Sequence, residues 1–127
     1  MYISRKNNFP PKIINPKGEN LQEILGYQAG NIKSHSLAEV TIPPGGSSQA
    51  HYHRNSEETY FILSGTATLN INSQTYKLNP GEAILIEPHD VHEISNDEGQ
   101  DLIFLAVCVP AWHQDDSFDV DLSDNTA

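Results

Sequence analysis

The stretch that decides the fold runs from Gly45 to Gly81 and reads GGSSQAHYHRNSEETYFILSGTATLNINSQTYKLNPG. Its breaks come at short intervals. Gly45-Gly46, Ser64-Gly65 and Asn79-Pro80-Gly81 are turn formers, because glycine reaches positive φ freely and proline fixes its own φ. Between them, Glu58 to Leu63 is a β-branched and aromatic run. Thr66 to Asn72 alternates, with Ala67, Leu69 and Ile71 facing one way and Thr66, Thr68 and Asn70 the other. A period of two marks a half-buried strand, since successive side chains leave opposite faces. Asn72-Ser73-Gln74 reads as a hairpin tip and Thr75 to Leu78 as the return strand.

The same pattern extends outward. Ser36 to Ile42 puts Ala38, Val40 and Ile42 on one face ahead of Pro43-Pro44, and Ala83 to Glu87, Val91 to Ser95 and Asp101 to Val109 complete the series. With 8 prolines and 8 glycines punctuating the chain, strands of this length and spacing predict an all-β sandwich or small barrel. The one helix candidate is Asn20 to Gly26.

Composition narrows the partners. The 127 residues fit one domain with one core. Seventeen acidic against seven basic side chains give a formal charge of −10, the wrong sign for gripping nucleic acid or an anionic membrane surface. The longest apolar run, near Leu102 to Val109, is far short of the roughly 20 residues that span a bilayer. No apolar segment follows Arg5, Lys6 and Lys12 to make a secretion signal, and a single cysteine, Cys108, excludes an intramolecular disulfide. A cytoplasmic protein is the expectation. Five aspartates (Asp115, Asp116, Asp119, Asp121 and Asp124) crowd the carboxyl end, so residues 114–127 read as a solvated, flexible acidic tail. Without those five the formal −10 falls to −5, ordinary for a soluble domain.

The histidines carry the chemistry. His51 and His53 are one residue apart, so an extended chain turns both rings to the same side. Glu58 shares a face with Tyr60 and Ile62, and His92 with Ile94 and Asn96. Three imidazoles and a carboxylate gathered inside a barrel make a nitrogen and oxygen donor set suited to a divalent transition metal. A histidine alone at a strand edge is more often a surface or capped residue than a ligand, whereas the pair by itself leaves both readings open.

The surrounding spacing adds to this. Gly45, five residues, His51-x-His53, four residues, Glu58, six residues and Gly65 is similar to the first motif of the cupin superfamily at every fixed position. Gly81, His92 and Asn96 follow at the spacing of the second motif. Two positions depart: the motif's proline is Glu87, with Pro88 one place late, and its glycine is His89. Both fall in the turn ahead of His92 and bear on loop geometry more than on the ligand. The chain thus resembles a small single-domain cupin, which implies a double-stranded β-helix, or jelly-roll barrel. It would have a short N-terminal extension over residues 1–34, a barrel over 35–113 and the tail over 114–127.

By that resemblance His51, His53, Glu58 and His92 are the ligands of one divalent ion: Fe, Mn, Ni, Cu or Zn. Four protein ligands on an octahedral ion leave room for a bidentate oxygen ligand, or for a substrate oxygen beside dioxygen. Three functions stay open. The favoured one is a dioxygenase-type oxidoreductase acting on a small molecule. Lewis-acid isomerase or lyase chemistry and a non-catalytic ligand-binding module are the others, since one architecture hosts many reactions. Glu58, if displaced as a base, and Tyr60 on the same face are the catalytic candidates. Glu57, His35 and His113 read as surface groups, His89 as a turn residue that also suits substrate contact, and Cys108 as a buried inert thiol. A homodimer is expected, with Ile3, Ile13 and Ile14 as contact candidates.

Overall fold

A computed structural model describes residues 1–122. Eleven strands run β1 (Ile13–Ile14), β2 (Asn20–Leu25), β3 (Ser36–Ile42), β4 (His51–His53), β5 (Glu57–Ser64), β6 (Ala67–Ile71), β7 (Gln74–Leu78), β8 (Ala83–Ile86), β9 (His92–Ser95), β10 (Leu102–Val109) and β11 (Ser117–Asp119). They form two antiparallel sheets, one ordered β1-β2-β3-β10-β5-β8 and the other β11-β4-β9-β6-β7. This is the expected all-β jelly roll.

Alternation places the core between the sheets. On β10, Leu102, Phe104, Ala106 and Cys108 are buried; on β3, Ala38, Val40 and Ile42 oppose them. Tyr60 and Ile62 from β5 meet Leu69 and Ile94 from the second sheet in one cluster. Each large aliphatic or aromatic side chain enclosed this way contributes roughly 1.5–3 kcal/mol. The register is pinned at its turns. Asn72 and Ser73 both have positive φ (48° and 71°), making a two-residue hairpin that pairs Ile71 with Gln74. Gln74 is therefore the first residue of the return strand and not part of the tip. Gly65 (φ 81°) lies where a Cβ would come within 2.7 Å of the Asp101 carbonyl, so the β5–β6 turn admits no side chain.

Two expectations are corrected. Asn20 to Gly26 is not helical: residues 20–25 are β2, which pairs Leu21 with Val40 and Asn20 with Thr41. A helix of under two turns is marginal alone, whereas a strand here extends an existing ladder and turns Leu21 onto the core. Within residues 1–34, β1 and β2 extend the first sheet beyond β3.

The acidic end is likewise no free tail where it is described. Residues 114–116 form a 3-10 turn and β11 pairs with β4, setting Phe118 opposite Tyr52 and Ser117 opposite His53. Phe118 stacks on Tyr52 (centroids 5.2 Å apart) beneath the Arg54 guanidinium at 4.7 Å. Aspartate content concealed this apolar anchor. Asp124 lies outside the described residues.

Candidate metal centre

Three strands deliver the candidate ligands. β4 carries His51 and His53, and its register sets His51 opposite His92 at the start of β9. β5 brings Glu58 in from the other sheet, opposite Cys108. One donor atom from each of His51, His53, Glu58 and His92 lies within 4.8 Å of all the others. His53, Glu58 and His92 are buried and His51 is half-buried, so the accessible side of the cluster is at His51.

The rings are held from behind. The Gln49 carbonyl takes a hydrogen bond from His51 Nδ1 at 2.7 Å, and the Asp90 carbonyl one from His92 Nδ1 at 2.8 Å. A carbonyl only accepts, so Nδ1 bears the proton in both rings and Nε2 presents its lone pair to the centre. Glu58 Oε1 lies 3.2 Å from His92 Nε2 and 3.4 Å from His53 Nε2. The latter contact lacks hydrogen-bond geometry, and His53 Nε2 is the one buried side-chain polar atom without a partner among the described residues. A buried unsatisfied nitrogen costs about 1–3 kcal/mol, and an ion at the centre would satisfy it. The donor set and this orphan both fit a divalent transition metal.

Electrostatics prepare the same state. Burial, helped by nearby His92, pushes the His51 imidazole down to about 4, so it is neutral at pH 7. Burial alone would raise Glu58, but the His53 and His92 rings facing it hold its carboxyl well below the ordinary range. Burial pulls His53 down, yet the facing Glu58 carboxylate more than offsets this and leaves His53 raised.

The remaining candidates separate clearly. Tyr60 is 3% exposed, packed on Phe104 at 4.8 Å and against His92 at 6.1 Å between ring centroids. Burial and the negative charge of Glu58 push its phenol well up, so it stays protonated and keeps an O–H to donate. His89 is exposed and has φ 72°, which explains why the motif prefers glycine there. Its amide donates to the His53 carbonyl at 2.7 Å, tying this turn to a ligand strand. Asn96 is structural, its amide donating to the Ile42 and Gln100 carbonyls at 2.9 and 2.7 Å. Glu57, His35 and His113 are exposed, as expected. Surface grooves of about 530 and 260 Å³ lie elsewhere and are lined by none of the four ligands.

Glu19 escaped the sequence reading. Just ahead of β2, it accepts a hydrogen bond from the Asn15 amide at 2.8 Å, in a turn fixed by Ser47 N donating to the Lys17 carbonyl at 3.0 Å. Burial and the Glu58 charge raise its carboxyl to about 7, with Asn15 and His92 opposing. Read as a strand, Glu19 falls on the same face as Leu21, the core-packed side chain. The helical assignment hid that phase.

Residues 38–108, more than half of the chain, match the family described as Cupin domain. The chain belongs to the cupin family. This cupin is 29% identical over 113 residues to an oxalate-binding protein of Thermotoga maritima, covering 86% of its own length and 93% of that relative. Its fold superimposes with a TM-score of 0.72 on a predicted oxalate decarboxylase from the same organism, at 27% identity over 86% of this cupin and 99% of that chain. A more distant relative is quercetin 2,3-dioxygenase of Bacillus subtilis, 28% identical over 75 residues, which make up 59% of this cupin and 22% of that enzyme.

Proposed function

We propose that this cupin uses one divalent transition ion, held by His51, His53, Glu58 and His92, to take a small dicarboxylate-class molecule at its accessible side. The observation that carries the metal reading is the buried, partnerless His53 Nε2 among donor atoms that all lie within 4.8 Å. When bound, the ion supplies Lewis acidity and adjacent positions for oxygen ligands. The likeness to the oxalate-binding protein supports the ligand class.

The protein's own groups set what else can happen there. His51 and His92 stay aimed because their Nδ1 atoms are committed to the Gln49 and Asp90 carbonyls. Tyr60 keeps its proton and orders the wall beside His92. Glu58, if displaced, becomes a base, and Glu19 is the carboxyl able to give or take a proton near pH 7. A dioxygenase-type oxidoreductase is the second reading, favoured by the likeness to quercetin dioxygenase over 59% of the chain. The partner expected besides a small molecule is a second copy: edge strand β1 presents exposed Ile13 and Ile14.

Protein purified without chelators should carry about one first-row ion per chain, and calorimetry should show oxalate binding that disappears in His92→Ala. A wild type with no ion and no rebinding refutes the reading. Oxygen uptake with flavonol, diketone or thiol substrates moves the assignment to the oxidoreductase, and sedimentation measures the oligomeric state.

A further inference from the structure

The Glu58 carboxylate has two oxygens with different neighbours. Oε1 faces the Nε2 atoms of His53 and His92, whereas Oε2 accepts from the Cys108 thiol at 3.1 Å. The pairing is built into the fold, because the β5–β10 register sets Cys108 directly opposite Glu58. Cys108 is 2% exposed and Glu58 6%, so no solvent competes for either group. On its other side Cys108 faces Ser36 of β3, its partner in the β3–β10 register. The single S–H proton is thus committed to Oε2. A free carboxylate beside a divalent ion can chelate with both oxygens or bind with one; a donor on one oxygen decides the matter.

We propose that Cys108 is a positioning residue that holds Glu58 to one ligating oxygen, and so keeps adjacent coordination positions free for a ligand that binds through two oxygens. The inference rests on the metal reading above and deepens it. It also revises the view of Cys108 as inert packing: the buried thiol is a fixed donor to the Glu58 carboxylate. Without the thiol, Oε2 loses that donor and becomes free to turn toward the ion, where it would add a ligand at a position the substrate needs.

The test uses the Co(II)-loaded full chain and oxalate as the probe. Cys108→Val removes the donor while filling the space, and Cys108→Ser retains a donor. Cys108→Val should load Co(II) to wild-type stoichiometry, change its visible spectrum and bind oxalate about tenfold more weakly or worse. Cys108→Ser should keep the wild-type spectrum and oxalate affinity. A Cys108→Val protein that loads Co(II) with unchanged spectrum and unchanged oxalate affinity overturns the assignment. Infrared spectroscopy gives a second measurement that needs no variant, since the chain has one cysteine. The S–H stretch of the Co(II)-loaded wild type should lie at the position of a hydrogen-bonded thiol, and a free-thiol position overturns the assignment. A wild type that takes up no Co(II) refutes instead the metal reading on which the inference rests.

Discussion

The Asp116 carboxylate is bound to the main chain of Ser56, two residues ahead of the candidate ligand Glu58: Oδ2 accepts from Ser56 N at 3.0 Å while Oδ1 accepts from Asn55 N at 2.9 Å. The connection between β4 and β5, which fixes His53 relative to Glu58, is therefore closed by a residue some sixty positions later in the chain. Burial opposes ionisation of Asp116, but the amides of Ser56 and Asn55 outweigh it and hold the carboxyl below its ordinary value. A depressed carboxyl contributes stability that is present above its unfolded value and is lost as pH falls through the folded one. Asp116→Ala should cost about 1–2 kcal/mol in denaturant unfolding at pH 7. The two proteins should converge in acid. Equal stability at pH 7 would show that the contact carries no energy.

Much of this centre was legible in the sequence because its ligands sit on strands whose phase is set by their neighbours. His51-x-His53 faces one way by period alone, and Glu58 and His92 inherit their directions from Ile62 and Ile94. The turn chemistry of Gly65 and Asn72-Ser73 fixes the registers that bring these strands together. The parts that were not legible depend on contacts distant in sequence. Ser117–Asp119 becomes a strand only because Tyr52 and His53 offer an edge to it, and aspartate content points the other way. Glu19 reaches the site only through the pairing of β2 with β3, which no local pattern in residues 1–34 declares. The Cys108 contact follows from a cross-strand register and is likewise invisible in either strand alone.

Removing the ion should expose the cost of the unsatisfied His53 nitrogen. Metal bound to the folded chain alone stabilises it by about 2.7 kcal/mol when free metal stands at about one hundred times its dissociation constant. Thermal unfolding with and without a chelator should differ by several degrees in the wild type. His53→Ala, which deletes the buried nitrogen along with the ligand, should unfold at the same temperature in both conditions. A chelator-insensitive wild type would count against the metal site.

The His89 turn offers a gain. With φ at 72° the residue sits in a backbone region that costs a side chain about 1–2 kcal/mol, and its ring makes only a loose 6.0 Å stack on Tyr52. His89→Gly should relieve that strain while keeping the main-chain hydrogen bond to His53. After allowance for the extra freedom glycine gives the unfolded chain, a stabilisation of about 0.5–1 kcal/mol is expected in thermal unfolding. A loss of stability would show that the His89 ring contributes more than its geometry implies.

Glu19 carries the most specific pH signature. Its carboxyl is raised from an ordinary 4.5 to about 7, so between those values the folded protein retains a proton that the unfolded chain has released. Stability must then be full below about pH 4.5 and fall as pH rises toward about 7, by up to about 3 kcal/mol for the metal-free protein. His51, held down to about 4, acts in the opposite sense over an overlapping window and lowers stability as pH drops below its ordinary 6.5. The wild-type curve alone therefore mixes the two, and its difference from Glu19→Gln isolates the carboxyl. Glu19→Gln cannot ionise, so its advantage over the wild type should grow from pH 4.5 to pH 7 and then level off. Loading the ion, whose positive charge offsets that of Glu58, should shrink the advantage. Parallel curves for the two proteins across this range would remove Glu19 from the set of groups that exchange a proton beside the metal.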